Sequence, residues 1–538
     1  MNGLQSSREN SRSIAEMTRV PQSYPSASSR SHFTGVALGM VAIGFFARLY
    51  LAATTYLNPD EAQIYFLSNQ ASLASVYQAN LTTAHPPLFA ALLYYWRFLG
   101  NSELVLRLPS VLAGTLFCWI GFKWLGRITN RTAALVGLIF FSFSPALISL
   151  SAEIRQYALL LFFIALSFYA LERAVQESSA GMMLVFSLSL CFAILTHYSA
   201  LLFACVVGAY AIIRLYDSRA TVRVIAPWVI GQAVAAAVFA FLYRSHLLRL
   251  KRIAEVTGFF QGSGQNALNV LLRETFRLFH YLFSQPVIGG LMLLLYVLGL
   301  IGLLRQQTVP EHSRPNPRHL AFLLAFPFLV SWTAQLFRTY PFDGTRHSVF
   351  LAAFVIAGAS LGLARWPASS NWKKPLLAAS AMAVCYLAPV PLGASFKPPN
   401  QKQSFMAGAV KFLGESAAPG AVVILDNQTS FPFRYYFCRG SVAEFSMSAR
   451  PFADFGCGRY RVSATGPRMW MFTPENLSAA IQHATAAYGL KPGSSIWIFQ
   501  TGWNVDTQPL LWPKLKELGC PAVHSFGKNI VVCQLPVS

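Results

Sequence analysis

Residues 56–108 read YLNPDEAQIYFLSNQASLASVYQANLTTAHPPLFAALLYYWRFLGNSELVLRL and follow the first long apolar segment of the chain. This stretch carries adjacent carboxylates, Asp60 and Glu61, then His85 ahead of two prolines, then an aromatic run that ends at Arg97. Charged residues make up only 12% of the sequence, so an acidic pair and a histidine beside a hydrophobic segment need an explanation. We interpret this stretch as an active-site loop on the far side of a membrane.

The composition is that of a multi-span membrane protein. The 538 residues are 54% hydrophobic with a mean hydropathy of +0.45, whereas soluble domains are about 45–50% apolar and about 25% charged. Many segments reach the roughly 20 apolar residues needed to cross a bilayer. The net charge of +22 fits Lys and Arg that flank spans or meet anionic lipid head groups. No RNA- or DNA-binding pattern accompanies it, so we expect no nucleic-acid partner.

Eleven segments are predicted to span the membrane. They are residues 33–53, 103–124, 131–150, 155–173, 180–196, 199–216, 224–243, 287–305, 318–338, 346–365 and 374–392. With a cytoplasmic N-terminus, most short inner loops carry Lys and Arg, as the positive-inside rule requires. An odd count then puts four polar clusters on one outer face: the Asp60–Glu61 loop and residues 149–157, 196–198 and 338–347.

Three regions follow from these patterns. Residues 1–32 are polar and rich in Ser and Arg, and we expect a disordered cytoplasmic tail. Residues 33–394 form the membrane domain, whose outer loops include amphipathic segments expected to lie in the interface. From residue 395 the composition changes, and helix-like and strand-like segments alternate to residue 538. This alternation predicts a small extracytoplasmic α/β domain, a lid or acceptor-guiding module rather than the catalytic centre.

That C-terminal region holds four of the eight cysteines. Four cysteines in a domain outside the cytosol suggest disulfides. The sequence does not fix their pairing; proximity favours Cys438 with Cys457 and Cys520 with Cys533. The other four lie in apolar segments, where a free thiol behaves as a small hydrophobe.

The pair Asp60–Glu61 has a structural and a functional interpretation. Asn58 suits an N-cap, Pro59 the first helical position, and Glu61 completes a capping box. Alternatively, a carboxylate here accepts a proton from an attacking hydroxyl, since a general base must reach the nucleophile at a suitable pKa. The two interpretations are compatible, because the cap would fix the geometry of the base.

The other outer clusters also have two interpretations each. His85 is either incidental to a turn, since residues before proline are extended, or a partner of a lipid-linked phosphate. Glu153, Arg155 and Tyr157 open the fourth span; an interfacial ion pair is the plain explanation. A second acid, a sugar-hydroxyl acceptor or a metal ligand at Glu153, with Arg155 on phosphate oxygens, is the alternative.

Two further clusters complete the outer face. His197 and Tyr198 separate two apolar runs, either as satisfied interfacial residues or as pocket lining. Arg346 and His347 start the tenth span, either as interface anchors or as phosphate ligands. No Cys/His set has zinc spacing, so a divalent metal is left open and no cofactor is assigned.

These motifs together resemble a known family. The acidic pair in the first outer loop, HPPL at 85–88, RLPS at 107–110, SAEIRQYAL at 151–159 and THY at 196–198 are similar to those of the GT-C glycosyltransferases. The nearest branch is the family-39-like group, which includes protein O-mannosyltransferases and the lipid A aminoarabinose transferase. The resemblance covers roughly residues 33–365, and it implies an all-α GT-C membrane fold.

The resemblance also implies a reaction. The donor would be a sugar on a polyprenyl phosphate, transferred with inversion to a lipid, glycan or protein acceptor on the outer face of a bacterial inner membrane. Asp60 would be the catalytic base, with Glu61 in support. His85 stands where the aminoarabinose transferases carry a lysine near the lipid phosphate. Arg155, Arg346 and His347 are further candidates for binding phosphate or donor.

Two other classes compete with this enzyme. A transporter or flippase should show ionisable residues deep within its spans and often repeated halves. Here the polar residues gather at one face and no repeat is evident. A receptor or scaffold with an outer domain would have no use for Asp60, Glu61 and His85.

Overall fold

The protein is described by a computed structural model that covers residues 27–250, 267–306, 314–365, 372–387, 401–438, 450–503, 511–520 and 522–537. Its membrane domain is helical. The helices are α1 Ala27–Thr54, α2 Pro59–Ser68, α3 Leu73–Asn80, α4 Leu88–Trp96, α5 Glu103–Ile128, α6 Arg131–Phe143, α7 Pro145–Ser151, α8 Tyr157–Gln176, α9 Ala180–Thr196, α10 Ser199–Asp217, α11 Val222–Leu242, α12 Ala267–Phe283, α13 Pro286–Arg305, α14 Pro317–Leu336, α15 Ala352–Arg365 and α16 Lys373–Leu387. The predicted tail lies outside the described residues up to residue 26, and the first helix begins at Ala27.

The number of spans depends on how bent and short helices are counted. Within the described ranges, eight helices are long and apolar enough to cross a membrane, or nine if the bent pair α6 and α7 is one span. Each of the eleven predicted segments contains a helix. Two are short, because α9 has 17 residues and α16 has 15. The expected multi-span helical fold is therefore confirmed, with eight or nine full-length spans within the described residues; the end of the predicted span 374–392 lies outside them.

Pro145 breaks the helix between α6 and α7, which meet at 56°, and a buried arginine pairs with carbonyls at the break. Pro145 has no N–H, so the carbonyl of Phe141 loses its helical partner. Arg48 of α1, only 1% exposed, donates to that carbonyl at 3.0 Å and to the carbonyl of Ser142 at 2.8 Å. The break is thus satisfied from within the protein, and α7 leads directly into residues 152–156.

Glycines bring α13 and α15 into close contact. A Cβ atom on Gly299 would lie 2.2 Å from the carbonyl oxygen of Gly358, and one on Gly362 would lie 2.0 Å from that of Leu295. No side chain fits at either place. The two backbones therefore touch directly, as small residues permit in membrane helix pairs.

The C-terminal domain has a mixed sheet with helices packed against it. Its elements are α17 Gln403–Ser416, β1 Val422–Leu425, α18 Asn427–Phe437, β2 Phe452–Cys457, β3 Tyr460–Thr465, α19 Pro474–Tyr488, β4 Ser495–Thr501, α20 Leu511–Glu517, β5 His524–Phe526 and β6 Ile530–Pro536. The strand order is β2-β3-β1-β4-β6-β5, with β1 parallel to β3 and β4 and the other pairs antiparallel. Cys438 is joined to Cys457 and Cys520 to Cys533, the two pairs that proximity favours.

Candidate active site

Glu61 is fully buried, and its carboxylate is saturated with hydrogen bonds. It completes the predicted capping box with Asn58 at the start of α2. Arg107 of α5 binds it in a bidentate manner, with Nε and Nη2 each 2.7 Å from one carboxylate oxygen, and the backbone N–H of Ile154 donates at 2.9 Å. These contacts tie α2, α5 and the loop before α8 together. Glu61 as a catalytic group stays a prediction, and its contacts favour a positioning role.

Asp60, the neighbouring residue, points to a different set of partners. Its Oδ2 lies 2.7 Å from Nη1 of Arg346 and 3.7 Å from Nη2 of Arg155. Burial raises the pKa of the Asp60 carboxyl, but the two guanidiniums outweigh burial and hold the pKa below its ordinary value. The side chain is 12% exposed. Asp60 is therefore an ionised carboxylate within reach of a substrate.

Two neutral histidines lie beside Arg155. His85 Nε2 accepts from Nη2 of Arg155 at 3.4 Å, which leaves the His85 proton on Nδ1, buried without a hydrogen-bond partner among the described residues. Burial, and then Arg155, lower the pKa of His85 well below its ordinary value. The ring of His197 lies 5.7 Å from that of His85; burial lowers its pKa to about 3. Both rings are uncharged at pH 7, so His85 can offer a hydrogen bond but not a charge.

Glu153 brings a second carboxyl to the same place. Burial, and then the charge of Glu61, raise the pKa of Glu153 to about 7, against the opposing effect of Arg346 and Arg155. Its contact is with the hydroxyl of Ser149, which lies 3.5 Å from Oε1. Asp60 and Glu153 thus differ in protonation near neutral pH, which is the pattern of acid and base assignments in an active site.

The remaining predicted residues divide into those near the cluster and one that holds a loop. Tyr157 is fully buried, with its ring 5.3 Å from that of His197 and 5.6 Å from Cζ of Arg155. His347 follows Arg346, and its carbonyl accepts from the hydroxyl of Tyr340 at 3.1 Å.

Tyr198 is the residue that holds a loop. Its hydroxyl donates to Nδ1 of His246 at 2.6 Å, and Nε2 of His246 donates to the carbonyl of Thr83 at 2.7 Å. These contacts hold the loop before His85. Within the described residues, no three His, Cys, Asp or Glu side chains form a set that could hold a metal ion.

Comparisons with known proteins show what the sequence and the fold of this chain are similar to. Residues 84–243 match the sequence model of a family described as dolichyl-phosphate-mannose-protein mannosyltransferase. ArnT from Cupriavidus metallidurans bound to undecaprenyl phosphate has a TM-score of 0.54 at 13% identity, over 93% of this chain and 98% of that chain. Its apo state has a TM-score of 0.50 with the same identity and coverage. Archaeoglobus fulgidus oligosaccharyltransferase tethered with an acceptor peptide has a TM-score of 0.48 at 11% identity, over 86% and 69%. No curated protein sequence matches.

The family match spans the histidine, the SAEIRQY segment and the THY segment, and the ArnT comparison shows the fold over almost the whole chain. Residues 84–243 of the chain match glycosyltransferases of the GT-C, family-39-like group. The resemblance drawn from the motifs is therefore confirmed, and so is the classification of this glycosyltransferase as a multi-pass membrane enzyme.

Sequence reasoning missed two residues that shape the site of this glycosyltransferase. Arg107 belongs to the quoted RLPS motif but received no role, although a charge inside an apolar segment is itself a functional signal. His246 lies in the π-helical turn Tyr243–Leu247, and no pattern in the sequence links it to Tyr198.

Proposed function

We propose that this glycosyltransferase moves a sugar from a polyprenyl phosphate to a hydroxyl or amine of a lipid, glycan or protein on the extracytoplasmic side of the membrane, with inversion. One observation carries the proposal: an ionised carboxylate, Asp60, is paired with two guanidiniums, Arg155 and Arg346. The acceptor requires a base to take its proton, and the anionic leaving group requires cations to stabilise it; this arrangement offers both. The undecaprenyl phosphate bound to the ArnT structure supports the choice of donor.

The reaction follows from that arrangement. The acceptor hydroxyl attacks the anomeric carbon while Asp60 takes its proton. The bond between that carbon and the phosphate oxygen breaks, and the electron pair leaves with the polyprenyl phosphate. Arg155 and Arg346 stabilise the charge on this phosphate as it forms. General base catalysis supplies about 10²–10⁴-fold of such a rate, and oriented donors facing the developing charge supply more.

Other residues have supporting roles in the proposal. His85 donates its free Nδ1–H to a phosphate oxygen or a sugar oxygen. Glu153, protonated for part of the time near pH 7, donates to a sugar hydroxyl. Glu61 acts through position, since Arg107 and the backbone hold both of its oxygens.

The test is an assay of purified protein with a panel of polyprenyl-phosphate sugars as donors and membrane extract as acceptor. We expect transfer of one sugar class by the natural chain and none by the Asp60→Asn variant. Asp454→Asn is the matched control, because Asp454 pairs with His483 at the surface of the C-terminal domain. Unchanged transfer by Asp60→Asn would disprove the assignment of the base, and transport of a labelled lipid without any transfer would favour the transporter instead.

A further inference from the structure

In the C-terminal domain, the carboxyl ends of the parallel strands form an edge of the sheet that is covered by the membrane domain. Along the chain β1 is followed by β3 on one side of it and then by β4 on the other. The carboxyl ends of β1 and β4 therefore meet at the point where the strand order reverses. In open α/β sheets this crevice is where ligands bind.

Here the crevice is filled by the membrane domain. Tyr56, which precedes the catalytic loop, places its hydroxyl 3.2 Å from Oγ1 of Thr501 at the end of β4. Gly502 follows with φ +129°, and a Cβ atom there would lie 3.0 Å from Cγ of Pro59 and 2.7 Å from Oε1 of Gln428. The segment just before Asp60 thus lies directly against the edge of the sheet.

The polar groups of that edge already have partners within the domain. Asp426 accepts from the N–H of Thr429 at 2.9 Å and from the Gln500 amide at 3.1 Å. Thr429 and Thr501 exchange two hydrogen bonds, of 2.9 and 3.0 Å. These groups are therefore already paired within the domain, and the edge is closed by contacts with the segment before Asp60.

Two N–H groups of the loop are also taken up by this region. The N–H of Tyr56 donates to the carbonyl of Gln401 at 2.9 Å, next to a bridge between Thr55 and Lys402. The N–H of Leu57 donates to the hydroxyl of Tyr436 on α18 at 2.9 Å. Three consecutive residues before the N-cap of α2 are therefore held by the C-terminal region.

Arg107 holds the same segment from the membrane side. Its Nη1 donates to the carbonyl of Thr55 at 2.7 Å, and its Nη2 donates to the carbonyl of Tyr56 at 3.0 Å. Tyr436 also bonds the carboxylate of Glu103, one helical turn before Arg107. The N–H groups of this segment thus donate to the C-terminal region, whereas its carbonyls accept from Arg107 of the membrane domain.

We propose that the C-terminal domain is a positioning clamp for the catalytic loop, in which Tyr436 and the carboxyl edge of β1 and β4 fix residues 55–59 so that Asp60 keeps its place between Arg155 and Arg346. Tyr436 is a positioning residue, since it reaches Asp60 only through the backbone of Leu57. The proposal gives the domain a role in the rate of transfer rather than in binding the donor. That role in the rate rests on the proposed function; the clamp itself does not.

Two adjacent tyrosines on α18 provide a matched test. Tyr436→Phe removes the acceptor for the Leu57 N–H. It also removes the bond from this hydroxyl to Glu103. Tyr435→Phe instead removes a bond that the Tyr435 hydroxyl donates to the carbonyl of Asn101 at 2.7 Å, in the membrane domain but outside the catalytic loop. Both variants lose one hydroxyl from the same helix, and only one of them loosens the loop.

The first measurement is hydrogen–deuterium exchange of residues 55–61 and does not depend on activity. We expect exchange about fivefold faster in Tyr436→Phe, the factor that one net hydrogen bond is worth, and no change in Tyr435→Phe. Unchanged exchange in Tyr436→Phe, or equal changes in both variants, would overturn the clamp. This result stands even if the natural chain transfers no sugar, an outcome that would defeat the proposed function alone.

The second measurement is steady-state transfer. We expect kcat to fall by about 10–100-fold in Tyr436→Phe with the donor KM within about twofold, because small misplacements of a catalytic group are costly. A purely structural role would lower the amount of folded enzyme and leave kcat per folded molecule unchanged. A faster-exchanging loop with normal kcat would also overturn the positioning role.

Discussion

The bidentate pair of Arg107 and Glu61 should contribute far more to the stability of this glycosyltransferase than an exposed ion pair does, and Arg107→Met tests it. Arg107 is 1% exposed and makes five hydrogen bonds, two to Glu61 and three to the carbonyls of Ala52, Thr55 and Tyr56. Methionine fills similar apolar volume but donates nothing. The Glu61 carboxylate would stay buried with only backbone donors, and three carbonyls would lose a partner.

Removing one partner of a buried, hydrogen-bonded ion pair costs about 3–5 kcal/mol. An exposed pair is worth about 0–1 kcal/mol. Arg127→Met is therefore the control, because Arg127 and its partner Glu177 have side chains that are 27% and 40% exposed. We expect the apparent free energy of unfolding of Arg107→Met to be about 3–5 kcal/mol lower than that of the natural chain, and that of Arg127→Met to be lower by about 1 kcal/mol or less.

The assay is unfolding by SDS in mixed micelles, followed by tryptophan fluorescence. Equal losses in the two variants would refute the reasoning, since burial of the pair would then have no energetic consequence. Loss of transfer without loss of stability in Arg107→Met would also contradict it, because that pattern indicates contact with substrate rather than support of the loop.

Four further predictions follow from the site and the membrane core. Asp60→Asn should lower kcat per folded molecule by about 10²–10⁴-fold in the transfer assay, and a smaller loss would speak against a general base. Arg346→Gln should move the acidic limb of the kcat/KM profile to higher pH, because Arg346 helps to hold the pKa of Asp60 down and the ionised base is lost as pH falls through that pKa; an unmoved limb contradicts the pairing. His85→Gln should keep the donor KM within about fivefold and leave the pH profile from 6 to 8 the same as that of the natural chain, since the histidine is neutral there, and a titration lost from or added to that range would count against it. Arg48→Leu should cost about 1–3 kcal/mol in SDS unfolding for each carbonyl of α6 that it leaves unpaired, and no loss would show that the bend has another support.

Much of the membrane architecture was accessible from the sequence because a bilayer imposes a simple length and polarity rule. Each of the eleven apolar segments contains a helix, and the capping box at Asn58 and Glu61 is present as predicted. The count of full-length spans was less accessible. The carbonyls at the Pro145 break are paired by Arg48, which lies almost a hundred residues away, and such a contact leaves no local pattern.

The candidate site was predicted in outline. Topology alone brought Asp60, Arg155 and Arg346 to one face, and the structure places them in contact. The roles of the adjacent acids could not be separated from sequence, since only the packing of Arg107 distinguishes a saturated carboxylate from an accessible one. The contact of Tyr198 with His246 was equally hidden, because it joins helices that are far apart along the chain.

The glycine contact between α13 and α15 has a mechanical consequence. Arg346 opens the short helical turn that runs into α15, and α15 cannot slide along α13 without driving one backbone into the other. The close contact thus fixes the position of the Arg346 end of this helix relative to α13. If the donor is the isoprenoid-linked sugar proposed above, its chain would have to be accommodated along other helices. Among the candidate spans of the described residues, Val222–Leu250 is the least buried against the rest of the protein.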